Sequence, residues 1–202
     1  MQSEKATYLA LGVALGGLLA WGACKYRCGK RKRHGRCNKG EGEEKRVDVE
    51  EALRRANIQL PPAGAAGGVY AKVRRKGRML YVSGHGPQLP VGGFMKGKVG
   101  KDYTVAEGYE AAKLTALSIL ASIKSELGSL NGIKRVIKTL GLVNCVPEFE
   151  EQPKVINGCS DVFVTLLGDE NGKGVRSAIG ANALPLNFPV EVEMIFELHW
   201  DA

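Results

Sequence analysis

The chain predicts an α+β protein, one mixed sheet with two helices on one face, preceded by a single N-terminal transmembrane helix. Three observations lead there. Alternating and helical apolar patterns follow in the order strand, strand, helix, strand, helix, strand, strand, and two helices suffice to cover one face of a single sheet. The C-terminal strand alternates cleanly, with Val190, Val192, Met194, Phe196 and Leu198 on one side and Glu191, Glu193, Ile195 and Glu197 on the other. Near the start, Ala6 to Cys24 carries no charge, and its 19 residues would rise about 28 Å as a helix, close to the hydrocarbon thickness of a bilayer.

Residues 6–24 are therefore expected to be a transmembrane anchor, 25–47 a basic juxtamembrane segment and linker, and 48–202 the folded domain. Lys25, Arg27, Lys30, Arg31, Lys32, Arg33, Arg36 and Lys39 follow the apolar run without an acid among them, and basic flanks stay cytoplasmic. That predicts a single-pass membrane protein whose domain faces the cytosol, on the mitochondrial outer membrane or the endoplasmic reticulum. A cleaved leader is the lesser reading, because Met1-Gln2-Ser3-Glu4-Lys5 is not the basic start a leader wants. Cys24, Cys28, His34 and Cys37 match no standard finger spacing, so no metal is expected.

Along the domain, Asp48 to Ala56 starts a short helix that Leu60-Pro61-Pro62 ends. Val69 to Val73 and Met79 to Ser83 read as a hairpin around Arg75 to Arg78, followed by a Gly-rich loop from Gly84 to Tyr103 that covers part of the molecule. Thr104 and Glu107 have capping-box spacing, and Tyr109, Ala112, Ala116, Ile119 and Ile123 then recur at helical intervals up to a C-cap at Gly128. A strand from Val136 to Val146 precedes a helix from about Pro153, and Asp169 to Gly174 turns into the Arg176 strand. Cys145 and Cys159 fall on apolar positions and read as buried free thiols. The last two strands, joined at Leu184 to Pro189, are expected to run antiparallel as neighbours, with the Arg176 and Glu191 ends about 23 Å apart.

The charge argues against nucleic acid as a partner. Of 29 basic residues against 21 acidic ones, the eight that flank the apolar run account for the whole excess of +8. A nucleic-acid-binding domain carries its basic excess on its own folded surface, and this one has none. Gly64 to Gly68 lacks the strand-then-helix context of a phosphate-binding loop, and no cofactor is expected.

Five segments in order carry a resemblance: Gly68-Val69-Tyr70, Tyr81-Val82-Ser83-Gly84, Val155-Ile156-Asn157-Gly158, Val175-Arg176-Ser177, and Leu184-Pro185 with Val190-Glu191-Val192-Glu193. Together they resemble the RidA (YjgF) family of reactive-intermediate imine and enamine deaminases over roughly residues 50 to 199. Ser177 to Gly180 and Gly97 to Gly100 look like a divergent branch. The resemblance implies a RidA/chorismate-mutase-like fold, a homotrimer with sites between subunits, and hydrolysis of a 2-enamine or 2-imine acid to a 2-keto acid and ammonia.

It also implies roles. Arg176 would clamp the substrate carboxylate, which a guanidinium does with two parallel hydrogen bonds, and Glu191 would accept a proton from the attacking water. Tyr70 matches the site tyrosine, or packs as a strand-start aromatic. Ser83 and the Gly84 backbone match the segment lining the pocket, and Asn157 matches a helix asparagine that supports or caps. His85 stands where glutamine is common in the family, Ala178 where cysteine is, and a histidine-based triad has no support. Glu197, and to a lesser degree Glu193, are expected on a solvated outer face. Two other functions stay open: a non-catalytic module that binds small carboxylates, and an endoribonuclease.

Overall fold

Asp48 caps helix α1 (Val49–Arg55) by accepting the Glu51 amide, and the computed structural model describes the chain from residue 46 to residue 199. Helices α2 (Val105–Leu127) and α3 (Gln152–Gly172) accompany strands β1 (Val73–Lys76), β2 (Met79–His85), β3 (Ile133–Asn144), β4 (Val175–Ala181) and β5 (Val190–Leu198). The five strands form one sheet in the order β1-β2-β5-β3-β4. Only β3 and β4 pair in parallel.

The α2 boundaries follow the expected chemistry. Thr104 and Glu107 satisfy each other's backbone donors, and Gly128 ends the helix with φ of 79°, which a residue without Cβ adopts at no steric cost. Helix α3 lies close against α2, because a Cβ at Gly158 would collide with the Tyr109 carbonyl. Both helices bury their apolar stripes with Val190, Val192, Met194, Phe196 and Leu198, so the alternation read in β5 is the core itself. Cys145 and Cys159 are buried free thiols, and burial pushes the Cys159 thiol up to about 12.

Several expectations need correction. The hairpin is shorter than expected: β1 starts at Val73, Lys76 pairs directly with Met79, and the exposed segment containing Tyr70 precedes the strand. Helix α3 breaks at Gly168, with φ of 79° and ψ of 171°, then adds a further turn through residues expected to be loop. Strands β4 and β5 are not neighbours. The β3-α3-β4 crossover places β4 parallel to β3 at the sheet edge, and β5 fills the position between β2 and β3. Glu197 is not merely solvated: it is part-buried, pairs with Arg78, and lies 3.2 Å from the Nε of Arg135.

The membrane expectation does not stand. Among the described residues no helix is long and apolar enough to cross a bilayer, since α2 and α3 each carry a polar face opposite the core stripe. The run from Ala6 to Cys24, the basic flank and the anchor drawn from them lie outside the described residues, and a membrane location with a cytosol-facing domain is left without support.

Candidate functional site

Strand β5 positions Glu191 and Glu193 on the face of the sheet that the helices leave open. Glu191 aligns with Leu142 of β3, which in turn aligns with Ile179 of β4, so all three point the same way. Across β5, the pairing between β2 and β5 slips between Val82 and His85, and this bulge carries Ser83 and Gly84. A Cβ at Gly84 would overlap Glu191 Oε1, so the carboxyl lies where it does because position 84 has no side chain. The sequence thus brings three of its candidates, Ser83, Gly84 and Glu191, into one place.

The Glu191 carboxyl is half-buried, and burial first, with the Glu193 charge second, raises its pKa above the ordinary carboxylate value. A carboxyl so placed is less hydrated and holds a proton more firmly. Ser83 is anchored twice, its amide at 3.0 Å and its hydroxyl at 3.2 Å from the Lys72 carbonyl.

Arg176 lies elsewhere. It aligns with Thr139, which aligns with Met194 on the helix-covered face, so its side chain leaves the sheet on the side opposite Glu191. Its Nη1 donates to Asn157 Oδ1 and to Ser160 Oγ, each at 2.9 Å, and Nη2 reaches the Pro153 carbonyl at 3.4 Å. The first turns of α3 therefore hold an exposed guanidinium at the β4 edge. Three positions along β3 and two strand spacings separate Arg176 from Glu191, about 14 Å between backbones rather than 23 Å. Tyr70 is at the opposite edge, 50% exposed, its hydroxyl accepting from the Gly67 amide at 3.3 Å. Arg176 with Asn157, Glu191 with Ser83 and Gly84, and Tyr70 thus form three separate places on one chain.

Sequence reasoning missed Ser122, and noted His85 only as a departure from the family's glutamine. The buried His85 ring makes two contacts, Nδ1 to the Ser83 carbonyl at 2.7 Å and Nε2 to Ser122 Oγ at 2.9 Å. A neutral imidazole satisfies both, with Nδ1–H donating and Nε2 accepting from the hydroxyl. Burial pushes the His85 pKa down to about 4, against the pull of the Ser83 carbonyl. The ring is a strut between α2 and the Ser83–Gly84 bulge. Nothing in the local spacing announces it, because Ser122 is 37 residues away.

The Gly-rich loop after β2 covers the connection between β4 and β5. Phe94 packs on Phe188 with ring centroids 5.0 Å apart, and Lys98 Nζ donates to Asn144 Oδ1 at 2.7 Å and to the Asn182 carbonyl at 2.6 Å. Leu186 and Asn187 in that connection hold φ of 53° and 59°, an uncommon conformation fixed by the contact of the Gly97 amide with the Asn187 carbonyl at 2.8 Å.

A helix-backed mixed sheet with this crossover is the fold of a YjgF/chorismate-mutase-like protein. The family described as "YjgF/chorismate_mutase-like, putative endoribonuclease" matches residues 50–198. Protein TCP17 of Trypanosoma cruzi is 40% identical over 147 residues, 73% of this chain and 92% of that protein. The crystal structure of protein Atu1372 from Agrobacterium tumefaciens superposes with a TM-score of 0.68 at 41% identity, covering 75% of this chain and 94% of that one. A "putative endoribonuclease" from Shewanella oneidensis MR-1 gives a TM-score of 0.70 at 34% identity, over 74% and 99% of the two chains. The chain belongs to the YjgF/RidA-like family.

Proposed function

We propose that the protein, as a divergent branch of its family, hydrolyses reactive 2-imino or 2-enamino acids to 2-keto acids and ammonia, without a cofactor. The observation that carries this reading is the half-buried Glu191 carboxylate lodged against Gly84 beside Ser83. Water attacks the imine carbon as Glu191 accepts its proton. The C–N bond of the resulting carbinolamine then breaks, the carbonyl forms, and the nitrogen leaves as ammonia with the proton returned. Arg176 grips the substrate carboxylate, and Tyr70 hydrogen-bonds the water or the amino group.

Arg176 and Glu191 leave opposite faces of one sheet, so the site forms where Arg176 of one copy meets Glu191 of the next in a homotrimer. The open face supports such an assembly, since at its β4 edge it presents Val175 and Ile179 as exposed large apolar side chains. The family description also names an endoribonuclease. Against that activity stands the balance of 21 basic and 21 acidic residues once the N-terminal basic flank is set aside. The test is a coupled assay of ammonia and keto-acid release from freshly generated 2-iminopropionate, run beside a structured RNA. Acceleration of imine hydrolysis is the expected result, and RNA cleavage without it sinks the proposal.

A further inference from the structure

Beside the Glu191 bulge the open face holds a depression of about 260 Å³. Arg74 of β1, Tyr81 and Ser83 of β2, Glu193 of β5, and Lys138 and Leu140 of β3 line it. Ser83 belongs both to this depression and to the segment under Glu191, so the two adjoin at that residue.

Pairing across four strands explains where its charges sit. Arg74 aligns with Tyr81, Tyr81 with Ile195, and Ile195 with Lys138, so one row crosses the sheet with a cation at each end and an apolar floor between. Among the described residues neither cation has a carboxylate within 4.0 Å. Glu193 is the one acid in the lining, against two bases. It stands between the cation row and Glu191, where it repels an anion placed directly over it and leaves the cation row as the place for one.

We propose that this depression receives a second, distal carboxylate of the substrate, so that the preferred substrates are dicarboxylic 2-imino acids such as 2-iminosuccinate or 2-iminoglutarate. The proposal rests on the deaminase reading for the reacting end of the molecule. Four residues of β5 separate Glu191 from the cation row, about 13 Å of strand. A lysine or arginine carries its charge about 6 Å from its own backbone on a flexible stem, which leaves a gap that the one or two methylenes and the distal carboxylate of such an acid span. The α-carboxylate then belongs to Arg176 of the neighbouring copy and the distal one to Arg74 and Lys138. Arg74 offers the bidentate fork that a carboxylate accepts best. A monocarboxylic imine reaches Glu191 but leaves the cation row with water.

The experiment compares two imines generated in situ by amino-acid oxidases with catalase present, 2-iminoglutarate and 2-iminopropionate. For the full-length protein, kcat/KM is expected to favour the dicarboxylic imine by about tenfold or more. The Arg74→Ala/Lys138→Ala protein, its folding checked by thermal melting, should bring that ratio close to one, while Arg74→Lys/Lys138→Arg should keep most of it. A ratio near one in the unaltered protein, or a preference that survives the double alanine variant, overturns the assignment. If neither imine is turned over, the deaminase reading has failed and the site is still decided by calorimetry with 2-oxoglutarate against 2-oxobutanoate. Tighter binding of 2-oxoglutarate that depends on Arg74 and Lys138 upholds the site, and equal or undetected binding overturns it.

Discussion

The Glu191 region and the Arg176 region are built in opposite ways. Glu191 is half-buried in the middle of the sheet, pressed against a glycine, and held by backbone geometry from two strands. Arg176 is exposed on an edge strand and held by side chains of one helix. A carboxylate that must take a proton gains from reduced hydration, whereas a guanidinium that must grip an arriving anion gains from being reachable and already oriented. On one chain the two regions face apart.

The largest effect expected from breaking this division is at Glu191. Glu191→Gln keeps the shape over Gly84 and removes the base, so imine hydrolysis should fall by about 10²- to 10⁴-fold with melting temperature nearly unchanged. Turnover close to that of the unaltered protein would assign the proton transfer to another group.

Gly84→Ala attacks the same region through geometry. The added Cβ has no room beside Oε1, and a shift of the carboxyl of about 1 Å should cost on the order of 100-fold in kcat. A Gly84→Ala protein that folds and works normally would mean that Glu191 does not need its observed position.

At the other region, Arg176→Ala should lose roughly 1.5 to 3 kcal/mol of transition-state binding, about 10- to 100-fold in kcat/KM, with partial recovery in Arg176→Lys. Mixing the Arg176→Ala and Glu191→Ala proteins after reversible dissociation separates a shared site from a site within one chain. Mixed assemblies should regain part of the activity, and verified subunit exchange without recovery would remove the neighbouring copy from the mechanism.

The strut beneath Glu191 predicts a pH effect on stability. His85 titrates near 6.5 when unfolded and at about 4 when folded, so between those values the unfolded chain binds the extra proton. Stability therefore falls as the pH drops through that window, by roughly 3 kcal/mol from this group, and does so no further below it. Urea unfolding at pH 7, 5.5 and 4 should show this slope relative to His85→Gln, which lacks the titrating ring. Parallel slopes for the two proteins would exclude His85 as the source.

The smallest effect is expected at Asn157, whose Oδ1 accepts from Arg176 Nη1. Asn157→Ala removes one of the hydrogen bonds that aim the guanidinium, worth about 0.5 to 1.5 kcal/mol, and should raise KM by about 2- to 10-fold with kcat little changed. A larger fall in kcat than in binding would place Asn157 closer to the reacting atoms.

Local patterns were enough for much of this molecule. The Thr104 capping box, the Gly128 cap and the alternation from Val190 to Leu198 are written within a few residues, because helix ends and strand faces are decided by neighbours in the chain. The ordered motifs around Tyr70, Ser83, Asn157, Arg176 and Glu191 pointed to the family. What tertiary structure decided is everything that depends on which strands pair. The insertion of β5 between β2 and β3 moved β4 to the edge and replaced the expected β4–β5 pairing, and that same arrangement set Arg176 and Glu191 on opposite faces. The His85–Ser122 strut, the Arg78–Glu197–Arg135 cluster and the row from Arg74 to Lys138 likewise join residues distant in sequence. Such contacts are selected by the burial and hydrogen bonding of whole elements, which no window of adjacent residues contains.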